Sequence, residues 1–410
     1  MSINGHIFRI TTFGESHGGA VGCVCDGVPA GFGLCESDIQ PYLDRRRPGQ
    51  NSLTTKRAEL DTVEILSGVE NGITLGTPVA MIIRNRDIRK VDYEATDIIP
   101  RPGHADFTYQ VKYGVRASSG GGRASARETV GRVCAGALAM KYMSGNGLMS
   151  ISAFVDSVME ISLPEEVMRG LKETPLSSAE VDARSTLLLL SDGRFVDANG
   201  CQYSPKGEPI ESSEFSDSQT LERVVTRCPH GPTAARMAAR IAEVRARKDS
   251  CGGTVTCVIS NVPGGLGEPV FDKFHAELAK AMMSIPAAKG FELGSGFEGA
   301  KRMTGAIHND PFESKLDDGK SAAGLGLKTN NAGGVLGGIT TGGNVYFRVA
   351  FKPVSSIGVP QPTVDFSGNP TTLILDGRHD PCVLPRAPPI VEAMAAVTAM
   401  DFWLRQKVRQ

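Results

Sequence analysis

Two stretches far apart in this chain nearly repeat each other. Residues 18–33 read GGAVGCVCDGVPAGFG and residues 252–267 read GGTVTCVISNVPGGLG; nine of the sixteen aligned positions are identical, where roughly one or two would match by chance. Each copy reads as a buried strand ended by a Val-Pro-x-Gly-x-Gly turn. Each then runs into a helix-like stretch beginning near Asp38 or Asp272, and in the second copy Phe271, Phe274, Leu278 and Ile285 recur at helical spacing. The match continues in order. Ser67-Gly68-Val69-Glu70 resembles Ser295-Gly296-Phe297-Glu298, and Gly72-Ile73-Thr74 with Gly76 and Val79 resembles Gly338-Ile339-Thr340 with Gly342 and Val345. The expectation is two related halves, about 1–150 and 229–410, sharing one core because either alone would leave a sheet face uncovered.

Between the halves, at about 163–227, the chain changes character. Ser191–Ser218 is polar, with few large apolar residues, and reads as a surface excursion or loop. Helix resumes at Pro232, with Met237, Ile241 and Val244 on one face and Gly252-Gly253 as its stop. A hydrophobic content of 40% with 22% charged residues belongs to a soluble globular protein. The net charge of −1 lacks the basic excess of a nucleic-acid binder. Nine cysteines without a CxxC pair read as reduced thiols in a cytosolic protein with no metal site. The N-terminus shows no apolar signal core and no run approaches membrane-spanning length, so the expected location is the cytoplasm.

Four segments hold the polar residues best suited to chemistry. In Phe13-Gly14-Glu15-Ser16-His17-Gly18-Gly19 a histidine among small residues can approach a ligand closely; the alternative is a histidine hydrogen-bonded in a turn. In Arg101-Pro102-Gly103-His104-Ala105-Asp106 the His-x-Asp spacing could orient an imidazole, against a solvated turn. Ser118-Ser119-Gly120-Gly121-Gly122-Arg123-Ala124-Ser125-Ala126-Arg127-Glu128 feeds a helix through a Ser125-x-x-Glu128 capping box. Its free amides and two guanidiniums suit an anion. In Asp376-Gly377-Arg378-His379-Asp380-Pro381, proton transfer competes with a charged loop. The run Arg45-Arg46-Arg47 before Pro48 reads by itself as a solvated face. Gly294-x-Gly296-x-x-Gly299 matches the dinucleotide pattern, but without an evident apolar strand before it or helix after it, it is set aside. Gly14-x-Ser16-x-Gly18 is set aside as a nucleophile elbow because a strand, not a helix, follows.

Taken together and in this order, these segments resemble the chorismate synthase family over nearly the whole chain. The matching blocks are TTFGESHG (11–18), DGVPAG (26–31), DRRRPGQ (44–50), RPGHADFTY (101–109), GGGRASARET (120–129), GGLGEPVFD (264–272), NNAGGVLGGI (330–339), FKPVSSI (351–357) and GRHDPCV (377–383). The resemblance implies an α+β fold, a β-α-β sandwich with helices between two antiparallel sheets, in a homotetramer. It implies an anti-1,4-elimination of phosphate from 5-enolpyruvylshikimate 3-phosphate, with bound reduced FMN (FMNH2) that is not consumed. NADPH or an external flavin reductase would supply the reducing equivalents.

By the same resemblance, His17, His104, Asp380, Ser16 and Ser125 are the proton-handling residues. Arg123, Ala124, Ser125, Pro286, Ala287, Gly337, Lys352, Pro353, Val354, Ser355, Ser356 and Arg378 are flavin contacts, and Arg46 and Arg127 meet the substrate. Ser52 stands where many members have a basic residue, Pro286 where some have Asn, and Asn331 where some have His. Two rival readings are an NADPH-dependent flavin reductase and a non-catalytic phosphometabolite-binding protein; the second has no need of His17, His104 and Asp380.

Overall fold

In a computed structural model the fold is described for residues 2–55, 59–86, 98–115, 121–211, 220–315, 324–375 and 379–409. Its helices, in chain order, are α1 (Glu36–Arg46), α2 (Asp106–Tyr113), α3 (Thr129–Gly145), α4 (Glu165–Glu173), α5 (Ser178–Arg184), α6 (Gly231–Ala246), α7 (Phe274–Met283), α8 (Gly296–Arg302), α9 (Gly305–His308) and α10 (Pro388–Arg409). Together with several antiparallel sheets they make an α+β fold.

The first sheet has the strand order Ile3–Asn4, Arg9–Phe13, Ala20–Asp26, Val79–Arg84, Val63–Ile65, all antiparallel. A second runs Ile161–Ser162, Ser150–Val158, Gly253–Ser260, Val345–Phe351, Ala288–Leu293, again antiparallel. The two segments that nearly repeat each other form the central strand of each sheet. Cys25 faces Val79 in the first, and Ile259 faces Val345 at the matching position of the second.

The turns that follow are built alike. Gly31 donates to the Thr74 carbonyl at 2.8 Å, and the Thr74 hydroxyl donates to the Pro29 carbonyl at 2.9 Å. Gly265 donates to the Thr340 carbonyl at 2.9 Å, and the Thr340 hydroxyl to the Pro263 carbonyl at 2.6 Å. Both threonines are buried, so each hydroxyl satisfies turn groups that water cannot reach.

One proposed match is not structural. Ser295–Glu298 spans the start of α8, and Val335–Leu336 pairs with Ile339–Thr340 as Val69–Glu70 pairs with Ile73–Thr74.

α3 packs on the first sheet, α10 on the second, and the two helices pack on each other, flanked by α1 and α7. Both are buried over most of their circumference, as a helix between two layers must be. Their approach is close. A β-carbon on Gly136 would stand 2.3 Å from the Cα of Ala393, and one on Gly131 would stand 2.5 Å from the carbonyl oxygen of Gly22. Glycine here sets the spacing of helix on helix and of helix on sheet.

Several sequence expectations are corrected. The described part of the polar stretch is not a loop. Phe195–Val196, Gln202–Tyr203 and Pro209–Ile210 join Thr186–Leu190 and Thr220–Val225 in a third antiparallel sheet, burying Phe195, Val196 and Tyr203. A few apolar residues at strand positions were enough; residues 212–218 lie outside the described residues. α6 ends at Ala246, before Gly252, because Lys248 adopts a φ of 59° that leaves the helix. Phe271 is 89% exposed and lies ahead of α7, whose buried face is Phe274, Leu278 and Met282. A strand, Ala288–Leu293, does precede Gly294, and α8 follows it. That strand pairs antiparallel, so no dinucleotide-type βαβ unit arises.

The helix crossing makes a prediction. Gly136→Ala should lower unfolding stability by about 1–3 kcal/mol, read from the midpoint of urea unfolding. An unchanged midpoint would mean that the two helices can separate without cost.

Candidate active site

A cavity of about 1240 Å³ opens where three chain segments converge. Two of them are the lead-ins to the paired helices, Gly121–Glu128 before α3 and His379–Arg386 before α10; the third is Arg101–Asp106 before α2. Among the described residues, eight cationic side chains line it (Arg46, Arg101, Arg123, Arg127, Arg132, Lys280, Lys352 and Arg386) against four carboxylates (Glu15, Asp106, Glu128 and Asp380). Asp61 and Glu59 stand behind Arg127 and still leave cations in excess. The chain as a whole is nearly neutral, so positive charge is concentrated at this one place.

Asp61 is the hub of the basic wall. It is buried and takes Arg46 Nη2 on Oδ2 at 2.5 Å and Arg127 Nη1 on Oδ1. Burial opposes its ionisation most strongly, but the two guanidiniums outweigh that and hold it below the ordinary carboxylate value. Arg127 also donates from Nε to Asn85 Oδ1 at 2.8 Å. The Asn85 amide in turn donates to the carbonyls of Glu15 and Gly18 at 3.1 and 2.7 Å, tying the His17 turn to the arginine.

The solvated-face reading of Arg45–Arg47 therefore fails for its first two members. Arg45 pairs with Asp182 and Glu392, and Arg46 is buried. Helical spacing turns both inward, where carboxylates from distant segments await them.

His104 also lines the cavity. Its Nδ1 is 2.8 Å from Asp106 Oδ1, and Arg101 grips the same carboxylate through Nε and Nη2 at 2.7 and 2.8 Å. A β-carbon on Gly121 would lie 3.3 Å from Nε2, so that nitrogen faces the glycine-rich lead-in of α3. Lys352 donates to Ser355 Oγ at 2.5 Å, and Ser355 to the Gly103 carbonyl at 2.7 Å. These bonds hold the Lys352–Ser356 segment against the histidine turn. Burial and the nearby Lys289 push the Lys352 ammonium below its usual value.

Of the residues singled out from sequence, the cavity gathers Arg46, His104, Arg123, Ala124, Ser125, Arg127, Pro286, Ala287, Lys352, Val354, Ser355, Ser356 and Asp380. Asp380 accepts from the Thr55 amide at 2.9 Å and from Arg386 at 2.6 Å. Pro353 and Gly337 are not among the lining residues; Gly337 sits in the turn between Val335–Leu336 and Ile339–Thr340. Neighbouring Gly333 and Gly334 face the chain's own Gly294 and Asn344. Ser16 and His17 do not line the cavity, although Glu15 does; Ser16 Oγ lies 2.9 Å from His17 Nδ1. Arg378 lies outside the described residues.

Two local expectations change. Arg123 donates to the carbonyls of Gly14 and Thr12 at 3.0 and 3.1 Å, so much of its fork anchors the His17 segment. The capping box does not form. Ser125 instead accepts from the Arg127 amide at 3.2 Å, because Glu128 is drawn to Thr12 and Arg132 at 2.7 and 2.9 Å.

Sequence reading passed over Asp61, Asn85, Arg101, Arg132 and Arg386 as site residues. Arg101 carried a signal, its place in the His104 motif, and Asn85 carried a weaker one as a polar residue at a strand end. Asp61 carried none: its φ of 51°, uncommon outside glycine, is invisible in the sequence.

A family model described as chorismate synthase matches residues 8–404. The chain is 51% identical to the chorismate synthase of Schizosaccharomyces pombe over 100% of this chain and 97% of that one. It is 49% identical to the Saccharomyces cerevisiae chorismate synthase over 100% and 98%. A crystal structure of a chorismate synthase superposes with a TM-score of 0.68 at 29% identity, covering 98% of this chain and 93% of the other.

The Asp61 hub predicts an acid response. Asp61 holds its proton more weakly in the folded chain than in the unfolded one. Its contribution to stability is whole above the ordinary value of 3.8 and is lost as pH falls from there through the lower folded value. Asp61→Asn should cost about 3–5 kcal/mol near neutral pH, since it removes the carboxylate that two buried guanidiniums share, and should flatten that acid limb. Urea unfolding across the acid range checks both; a variant matching the parent at every pH would remove Asp61 from the wall.

Proposed function

Because the chain belongs to the chorismate synthase family, lyases of the shikimate pathway, we propose that this cavity releases phosphate from 5-enolpyruvylshikimate 3-phosphate by anti-1,4-elimination with reduced FMN. The observation that carries the reading is the basic cavity itself. The substrate bears two carboxylates and a phosphate, and the flavin another phosphate. A neutral chain binds such a load only by concentrating guanidiniums locally. The volume also exceeds the roughly 300–1,000 Å³ of an ordinary small-ligand pocket, as two ligands in contact require.

The flavin is assigned to the wall made by Arg123–Ser125, Pro286, Ala287, Lys352 and Val354–Ser356, where the Ala287 backbone takes a φ of 71°. When bound, the reduced flavin supplies an electron-rich partner beside the allylic phosphate, used without net consumption. The chain's own residues do the rest. Arg46 and Arg127, fixed by Asp61, hold the anionic groups in register. His17, with Ser16 at its Nδ1, lies behind cavity-lining Glu15 in the turn that Asn85 ties to Arg127. By family resemblance it is the group that gives a proton to the departing phosphate once that turn meets the substrate. His104 handles a proton at the flavin side, and Asp380 with Ser125 relays another.

We read the chain as one domain of two related halves in a β-α-β sandwich. The equal strand order, the register of Cys25 with Val79 and of Ile259 with Val345, and the paired threonine turns support that reading. A homotetramer in the cytoplasm is the family expectation. It would cover exposed apolar side chains such as Leu66, Ile73, Leu336 and Ile339, and no helix among the described residues is long and apolar enough to cross a membrane.

Anaerobic turnover with a limited, known amount of dithionite-reduced FMN tests the proposal. Many chorismates should form per flavin; one product per flavin oxidised would make the enzyme a net oxidoreductase. Replacing dithionite by NADPH in the same assay reports whether the chain reduces its own flavin or relies on an external reductase. His104→Ala should lower turnover by about 10²–10⁴-fold, and a value within a factor of about two of the parent would remove it from the chemistry.

A further inference from the structure

We propose that Asp106, clamped by Arg101, is a positioning residue that fixes a proton on His104 Nδ1 and so makes Nε2 the atom that exchanges protons with the cavity. The inference rests on the reading of His104 as an acid–base group and adds which nitrogen acts and what decides it.

The geometry leaves one arrangement. His104 Nδ1 has two close neighbours, Asp106 Oδ1 at 2.8 Å and Arg101 Nη2 at 3.1 Å. Without its proton, Nδ1 would set a lone pair against a carboxylate oxygen at hydrogen-bond distance. With the proton, it donates to that oxygen, and Arg101 Nη2 turns to the same Oδ1 at 2.8 Å. The carboxylate is well suited to remain the acceptor. It is buried and takes the Arg101 backbone amide and Nε on Oδ2 at 3.1 and 2.7 Å. It also opens α2, where the helix N-terminus favours negative charge. Burial opposes its ionisation, but the bonds from Arg101 and His104 hold it well below the ordinary carboxylate range. The proton therefore stays on the imidazole, and Nε2 is left facing the Gly121 turn.

Asp106→Asn reverses the arrangement. An asparagine keeps its carbonyl where two donors meet it, the backbone amide and Nε of Arg101. That sets its NH2 toward His104, where it donates to Nδ1 and drives the ring proton to Nε2. The opposite rotamer would face NH2 to both of those donors and is worse by one clash.

The test is imidazole ¹⁵N–¹H NMR on histidine-labelled full-length protein, with His104→Gln assigning the resonance, beside steady-state turnover. The parent should show the Nδ1-protonated tautomer and Asp106→Asn the Nε2-protonated one. Turnover should fall about 10²–10⁴-fold with KM little changed, while the melting temperature falls because buried Arg101 loses a carboxylate partner. In a His104→Ala background, Asp106→Asn should add no further loss. An Nε2-protonated parent, or a tautomer indifferent to Asp106→Asn, would overturn the proposal; the parent spectrum decides even if the variant does not fold. A tautomer that switches while turnover stays at the parent's rate would instead overturn the acid–base role of His104.

Discussion

The contact of α3 with α10, glycine against alanine at Gly136 and Ala393, is the constraint on which the site depends. Each helix is preceded by a segment containing short 3-10 turns that lines the cavity, Gly121–Glu128 in one case and His379–Arg386 in the other. Because the helices lie close together, their lead-ins converge. Separated by one more methylene, the helices would carry Ser125 and Asp380 apart. Interiors packed at crystal density transmit such shifts instead of absorbing them.

Charge follows the same logic. Burying Arg46 and Arg127 without counter-charge would be costly, and Asp61 offsets much of that by serving both, with Glu59 beside Arg127. Glu392, wholly buried in α10, does the same for Arg45, the Ala153 amide and Ser178. Carboxylates thus fix the guanidiniums before any ligand arrives, so that anions meet a wall already arranged. The third sheet joins in this. Arg227, at its edge, reaches Asp182 and Gln50, and Glu222 accepts from the Ser52 amide at 2.5 Å. What reads in sequence as an excursion braces the loop that follows Arg46.

Where a side chain acts through another, the second partner sits beyond simple motif reading. Asp106 is legible because it lies two residues from His104. Asn85 links Arg127 to the His17 turn from a strand end 42 residues away from Arg127. Asp401 accepts three backbone amides, from His6, Ile7 and Phe8, at 3.0, 2.7 and 2.9 Å. It pins the first sheet to the last helix across nearly the whole chain. Hydrogen bonds of this length in sequence leave no periodic trace.

The sequence by itself determined the pattern of strand, Val-Pro-x-Gly turn and helix at both near-repeated segments, and the family to which nine ordered blocks belong. It also placed the residues of the glycine-rich lead-in, the His104 turn and the Lys352–Ser356 wall, because these features are local: each is written in neighbouring residues. Tertiary structure alone decided that Arg45 and Arg46 face inward, that Arg123 is spent largely on the carbonyls of Thr12 and Gly14, and that Glu128 leaves Ser125 without a capping box. It also decided that the polar middle stretch folds as a sheet. In each case a partner far along the chain outcompetes the local preference, since a buried charge must find its counter-charge wherever the fold supplies one.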